Sequence, residues 1–149
     1  MKKVALAICL AALALSLLQP PTVNGAAQKI VTAAQVNGTW RTQSGDFKIW
    51  ALGNQRLQVE FSGSYEYESQ GGPMANVGSG SGIAQIEGDT ASFRPDGVDD
   101  DCMIRMKFTG GKLMVTQDGG CGFGHNVSAN GTYKKISSRK PKFASTGYR

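Results

Sequence analysis

Few side chains here are of a type that does covalent chemistry. The chain has one histidine and three cysteines. His125 stands in Cys121-Gly-Phe-Gly-His125-Asn126. Nucleophilic hydrolysis needs a nucleophile, a base and a group that orients the base, so a triad would rest on His125 alone. His125 reads more simply as a loop residue at a strand start. The acidic run Asp96-Gly-Val-Asp99-Asp100-Asp101 is the best metal candidate, because hard cations take several oxygen ligands. It lacks the glutamate that closes a twelve-residue calcium loop and reads as a solvated loop. With one histidine and paired cysteines, zinc has no ligand set. No catalytic residue, metal or cofactor is implied, and an enzyme is not expected.

Two of the cysteines belong together. Met1-Lys2-Lys3, the apolar run Val4–Leu18, Pro20-Pro21 and the small residues Gly25, Ala26 and Ala27 form a secretory signal over residues 1–27. The apolar run, about 15 residues, is short for a bilayer span. No transmembrane span is expected once it is removed. The lysine-led start reads as bacterial, which places the chain in the periplasm or outside the cell. Cys9 leaves with the signal, and Cys102 and Cys121 remain in an oxidising compartment, where a disulfide is the expectation.

The elements that position these residues read as strands. In Arg56–Glu68, Leu57, Val59, Phe61, Tyr65 and Tyr67 alternate with Gln58, Glu60, Ser62, Ser64, Glu66 and Glu68. This is the period of a strand with one dry face. Cys102, Ile104, Met106 and Phe108 share one face of a second strand, and Leu113 and Val115 continue it after Gly110-Gly111, a pair suited to a two-residue turn. That register sets Cys102 opposite Gly119, so a bend at Gly119-Gly120 brings Cys121 within reach. The ring of about 20 residues stabilises the fold by roughly 3 kcal/mol. Gly38–Gln43, Phe47–Leu52, Val77–Glu87, Thr90–Arg94 and Asn126–Ile136 supply the other strands. Gly78, Gly80 and Gly82 fall on one face, which predicts a barrel corner or a close backbone approach.

The expected fold is all-β: a small antiparallel up-and-down barrel of about eight strands with one disulfide, a β-sandwich being the alternative. Its expected divisions are a signal at 1–27, a linker at 28–36, the barrel at 37–136 and a flexible basic tail at 137–149. Charge follows the same division. The chain has 16 basic and 11 acidic residues. Without Lys2 and Lys3 the count is 14 against 11, and without the six cations of Lys134–Arg149 it is 8 against 11. The body is mildly acidic and the excess of positive charge lies at the C-terminus. No nucleic-acid motif is present, and nucleic acid is not an expected partner.

Two resemblances bear on function. Gly38-Thr39-Trp40 at the first strand resembles the opening of the calycin barrels, which implies a small barrel. The pattern Cys102…Phe108-x-Gly110…Cys121-Gly-Phe-Gly-x-Asn126, then Gly131-x-Tyr133, is similar to a C-terminal β-domain of secreted bacterial proteins near the lysozyme-inhibitor families. Such inhibitors carry Ser-Gly-x-x-Tyr, and Ser62-Gly-Ser-Tyr65 is one residue short of it. These resemblances imply a non-enzymatic periplasmic or secreted binding protein, with a lysozyme as one target. Tyr65, Glu66, Tyr67, Phe123, His125 and Asn126 are the candidate contact residues. The alternative is an envelope accessory protein whose basic tail docks to an anionic envelope component.

Overall fold

The computed structural model describes residues 29–98 and 100–144. Residues 1–28, on which the expected signal falls, Asp99 and residues 145–149 lie outside it. A four-residue helix, α1 (Ala33–Val36), precedes eight strands: β1 (Gly38–Arg41), β2 (Gly45–Gly53), β3 (Arg56–Ser69), β4 (Gly72–Glu87), β5 (Thr90–Phe93), β6 (Met103–Thr109), β7 (Lys112–Asp118) and β8 (Gly131–Ser137). Each pairs antiparallel with the next, and β8 returns to β1, closing an up-and-down barrel. Closure pairs Thr39 with Ser137 and Trp40 with Lys135. It leaves neither the first nor the last strand as a free edge.

Alternation fills the interior. Trp40, Phe47, Ile49, Leu57, Val59, Phe61, Ile104, Met106, Leu113 and Tyr133 are all buried. The aromatic rings interlock: Phe47 lies 5.0 Å from both Phe61 and Tyr133, and Trp40 lies 5.8 Å from Phe108. The interior of this eight-stranded barrel is thus filled by its own side chains. The Tyr133 hydroxyl donates to the Ala129 carbonyl at 2.9 Å. Burial pushes its pKa well above the ordinary tyrosine value.

The hairpin of β6 and β7 turns at Gly110 and Gly111, both at positive φ (57° and 72°). Its register pairs Met103 with Asp118, so Cys102 does face Gly119. Cys102 and Cys121 form the disulfide, with Cα atoms 4.9 Å apart.

The ends differ from the sequence expectation in three ways. Residues 29–36, expected as a linker, close the lower end. Val31 N–H donates to the Gly88 carbonyl at 3.2 Å, and Trp40 Nε1 donates to the Val36 carbonyl at 2.9 Å. Val36 is buried, so one valine and one indole N–H anchor a segment too short and aperiodic to declare itself in the sequence. Lys135 Nζ sits over the Trp40 ring at 4.7 Å and donates to the Ala34 and Gln35 carbonyls. Second, β8 starts at Gly131 instead of Asn126, because residues 119–130 are spent on a loop. Third, the basic tail is held to the barrel through Ala144. Its backbone N–H donates to Glu60 Oε2 at 2.6 Å, and Lys140 lies over Trp50 at 5.6 Å. Glu60 is the single buried charged side chain among the described residues, and Lys48 Nζ meets its other oxygen at 2.5 Å.

Candidate functional site

The β3–β4 hairpin outruns the barrel. β2 pairs with β3 only as far as Gly45 opposite Gly63, with one further bond from Ser64 N–H to the Ser44 carbonyl at 2.9 Å. The β3–β4 ladder continues without a shift to Ser69 opposite Gly72. Residues 64–69 and 73–77 thus form a two-stranded arm beyond the mouth. Residues directly opposite share a face, so Tyr65 with Asn76 and Tyr67 with Met74 continue the face that lower down holds Phe61 and Val59.

On the arm that face has no barrel to fill. Tyr65, Tyr67 and Met74 are 41%, 36% and 53% exposed. The two tyrosine rings stack at 6.3 Å and 21°. Tyr67 Oη lies 4.0 Å from Met74 Sδ. Glu66 and Glu68 occupy the opposite face and make no salt bridge among the described residues. The arm therefore offers an aromatic platform with an acidic back.

The base of the arm is built by the 119–130 loop. Gly119 sits at φ 73° with its Cα so near the Asp101 carbonyl that a side chain could not be accommodated. The disulfide fixes Cys121 two residues later. Phe123 then enters the mouth as a plug, 4% exposed, with its ring 4.7 Å from that of Phe61. The three alternate glycines of β4 make this possible. A Cβ on Gly78 would collide with the Phe123 backbone. One on Gly80 would lie 2.7 Å from the Phe123 ring and 2.9 Å from Pro95, and one on Gly82 would lie 2.9 Å from the Arg94 carbonyl. The glycine face is a bed on which two other segments of the same chain lie.

The sequence candidates therefore separate. Tyr65, Glu66, Tyr67, His125 and Asn126 gather around the arm, and Asn76 Nδ2 donates to the His125 carbonyl at 2.9 Å, tying loop to arm. Asn126 takes positive φ (61°), where asparagine is among the tolerated residues. Phe123 is buried and supports this surface from beneath. Met74 and Asn76 join it. Both fall before the strand start expected from sequence at Val77, and the ladder opposite Tyr65 and Tyr67 is the signal that would have found them.

Among the described residues neither His125 nor the acidic run is assembled with the partners the sequence reading asked for. The His125 ring makes no hydrogen bond to a described side chain. Within the acidic run Arg94 holds Asp100 at the surface: its guanidinium bonds Asp100 Oδ1, the Asp100 carbonyl and the Cys102 carbonyl at 3.0–3.1 Å. Asp101 Oδ2 accepts from Gly120 N–H at 3.4 Å. Among the described residues no three His, Cys, Asp or Glu side chains gather as a metal site. A groove of about 520 Å³ at the lower end is lined by Val31, Val36, Ala51, Leu57 and Ile86 and holds no such group either.

No protein-family model, no curated protein and no solved structure matches the chain.

Proposed function

We propose that the chain is an exported, non-enzymatic binding module of the bacterial periplasm or exterior, and that it grips a protein partner with the β3–β4 arm. The observation that carries this is the stacked Tyr65–Tyr67 pair with Met74, held out beyond a filled barrel. Tyrosine and methionine are enriched where proteins meet, and a few such anchors supply most of an interface's energy. A two-stranded arm is marginal by itself. Here the barrel, the Phe123 plug and the disulfide supply rigidity at its base, so little ordering is left to occur on binding. Glu66 and Glu68 favour a partner with a basic face and speed its approach. A lysozyme fits that description, and the similarity of the 102–133 pattern nominates it.

The test is a titration of the purified protein against c-, g- and i-type lysozymes in a cell-wall lysis assay. The expected result is saturable inhibition of one type at about one-to-one stoichiometry. Tyr65→Ala with Tyr67→Ala should weaken it about 100-fold, the loss of two anchor residues. No inhibition of any type at micromolar excess overturns the lysozyme assignment.

A second reading, docking to an anionic envelope component, draws support from the barrel wall more than from the tail. Lys112 pairs directly with Lys134 across β7 and β8, a like-charge pair that costs stability unless an anion lies over it. Binding to anionic vesicles that Lys112→Glu and Lys134→Glu abolish would favour it over the lysozyme reading.

A further inference from the structure

The backbone of β4 alternates in direction, and two hydrogen bonds fix the phase. Ile86 N–H donates to the Gln55 carbonyl at 2.8 Å, so even-numbered residues turn toward β3. The Ser81 carbonyl accepts from Asp96 N–H at 2.7 Å, so odd-numbered residues turn away. β5 covers the far edge of β4 only at Gln85, Ile86 and Glu87. Above Ser81, the N–H and C=O groups of Ala75, Val77 and Ser79 and the carbonyl of Pro73 have no backbone partner among the described residues. Gly124 passes beside the Val77 carbonyl without bonding it. This is an open strand edge on an otherwise closed barrel.

Exposed edges are ordinarily protected by lysines, inward charges, bulges or prolines. The β4 ladder has no bulge, and from Gly72 to Ile86 the strand carries no charge. Pro73 at the tip is its one protecting residue. Val77 stands 74% exposed at the centre of the edge. The free edge of β3 differs, since Glu66 and Glu68 alternate along it.

We infer that the β4 edge is a self-association surface, on which Ala75, Val77 and Ser79 pair antiparallel with the same residues of a second copy. Pairing about a two-fold axis at Val77 sets each strand against itself, so a charge at its centre would be brought close to its own counterpart. β4 has none. The same operation on β3 would set its glutamates close together. A β4–β4 contact would join two arms into one four-stranded sheet. The Tyr65–Tyr67 platforms of both copies would lie on the same side, because the axis runs through the sheet.

Sedimentation equilibrium and amide hydrogen exchange on the purified protein test this together. The expected result is a reversible dimer, well populated by about 100 µM. The amides of Ala75, Val77 and Ser79 should be open when dilute and protected when concentrated. Val77→Lys should weaken association at least about tenfold, since a lysine on the edge of each copy repels its counterpart. Val77→Pro should do the same by deleting an N–H that the β3 ladder does not use. Should the proline variant fail to fold, the lysine variant still decides. A chain that stays monomeric to about 1 mM overturns the inference. So does a dimer that Val77→Lys leaves intact, or protection of these amides that appears only with an added unrelated peptide. Val77 faces away from the tyrosine platform, so lysozyme inhibition by the monomeric variant is a separate readout. Its loss or survival bears on the proposed function alone.

Discussion

Replacing Gly78 with alanine should dislodge the Phe123 plug. The new Cβ would fall within the Phe123 backbone, 2.8 Å from its Cα, and a main-chain atom cannot rotate away as a side-chain tip can. The loop must therefore rise. Phe123 then loses its burial, about 2–3 kcal/mol for a phenylalanine. It also loses its contact with Phe61, about 1 kcal/mol. Alanine regains about 0.5–1 kcal/mol by restricting the unfolded chain. The net loss is about 2–3 kcal/mol, read as a fall in the urea midpoint at constant slope. Gly80→Ala probes the same bed differently, since its Cβ meets the Phe123 ring and Pro95. Removing the ring should relieve part of that clash, so Gly80→Ala and Phe123→Ala should be non-additive by about 1 kcal/mol. Gly78→Ala and Phe123→Ala should show no such relief, because backbone remains in the way. Gly71→Ala is the control, with only Ser69 Oγ nearby at 3.8 Å and an expected effect within about 0.5 kcal/mol. A Gly78→Ala variant as stable as the parent, with Phe123 still buried, would refute the reasoning.

Three further outcomes follow from the same geometry. Cys102→Ser with Cys121→Ser opens a ring whose ends are 19 residues apart and should cost about 3 kcal/mol, matched by adding reductant to the parent in a denaturant titration. Tyr133 ionises above its ordinary value of 10.0 when folded, so its contribution is intact below pH 10 and lost as pH rises toward the folded value. Stability should fall by about 1 kcal/mol between pH 10 and 11, and Tyr133→Phe should remove that slope. Burial lowers the Lys135 pKa, which acts in the opposite sense, so the Tyr133→Phe comparison rather than the raw profile is the measurement that checks this. Glu60→Gln should loosen the docked tail and speed tryptic cleavage after Arg139 and Lys142 about tenfold, the loss expected for a charged acceptor.

The parts of this fold that were legible in the sequence are those in which local pattern and turn chemistry agree. Gly110-Gly111 between two alternating runs specifies one hairpin register, and the register brings Cys102 to Cys121. The arm shows the reverse. Gly72-Pro-Met-Ala-Asn76 has weak strand propensity and reads as a loop, yet it is a strand because Tyr65–Ser69 pairs with it residue for residue. Phe123 lies between two glycines, a context that suggests exposure, and only the bare face of β4 explains its burial. The alternate glycines did announce a close approach, without saying which segment approaches. Docking of the tail was hidden because it depends on one backbone N–H and one carboxylate 84 residues apart. The candidate surface was half visible: Tyr65 and Tyr67 stand out by alternation, whereas Met74 and Asn76 join them only through pairing.

Closure of the barrel by β1 and β8 has a consequence for how the chain assembles. Every other strand pairs with its sequence neighbour, so seven of the eight seams are hairpins or short connections that close at small entropic cost. The last seam joins Thr39 to Ser137 and waits on all the rest. A chain emerging N-terminus first would build β2 through β7 while β1 keeps an unsatisfied edge, and the final strand completes it. Circular permutation gives that order a handle. Linking the end of β8 to the start of β1 and opening the chain at Gly110-Gly111 turns the slow seam into a hairpin and a fast hairpin into the long-range step. The permutant should keep the same barrel while the part of the sheet that forms last moves from the β8–β1 seam to the β6–β7 seam, two seams round the wall.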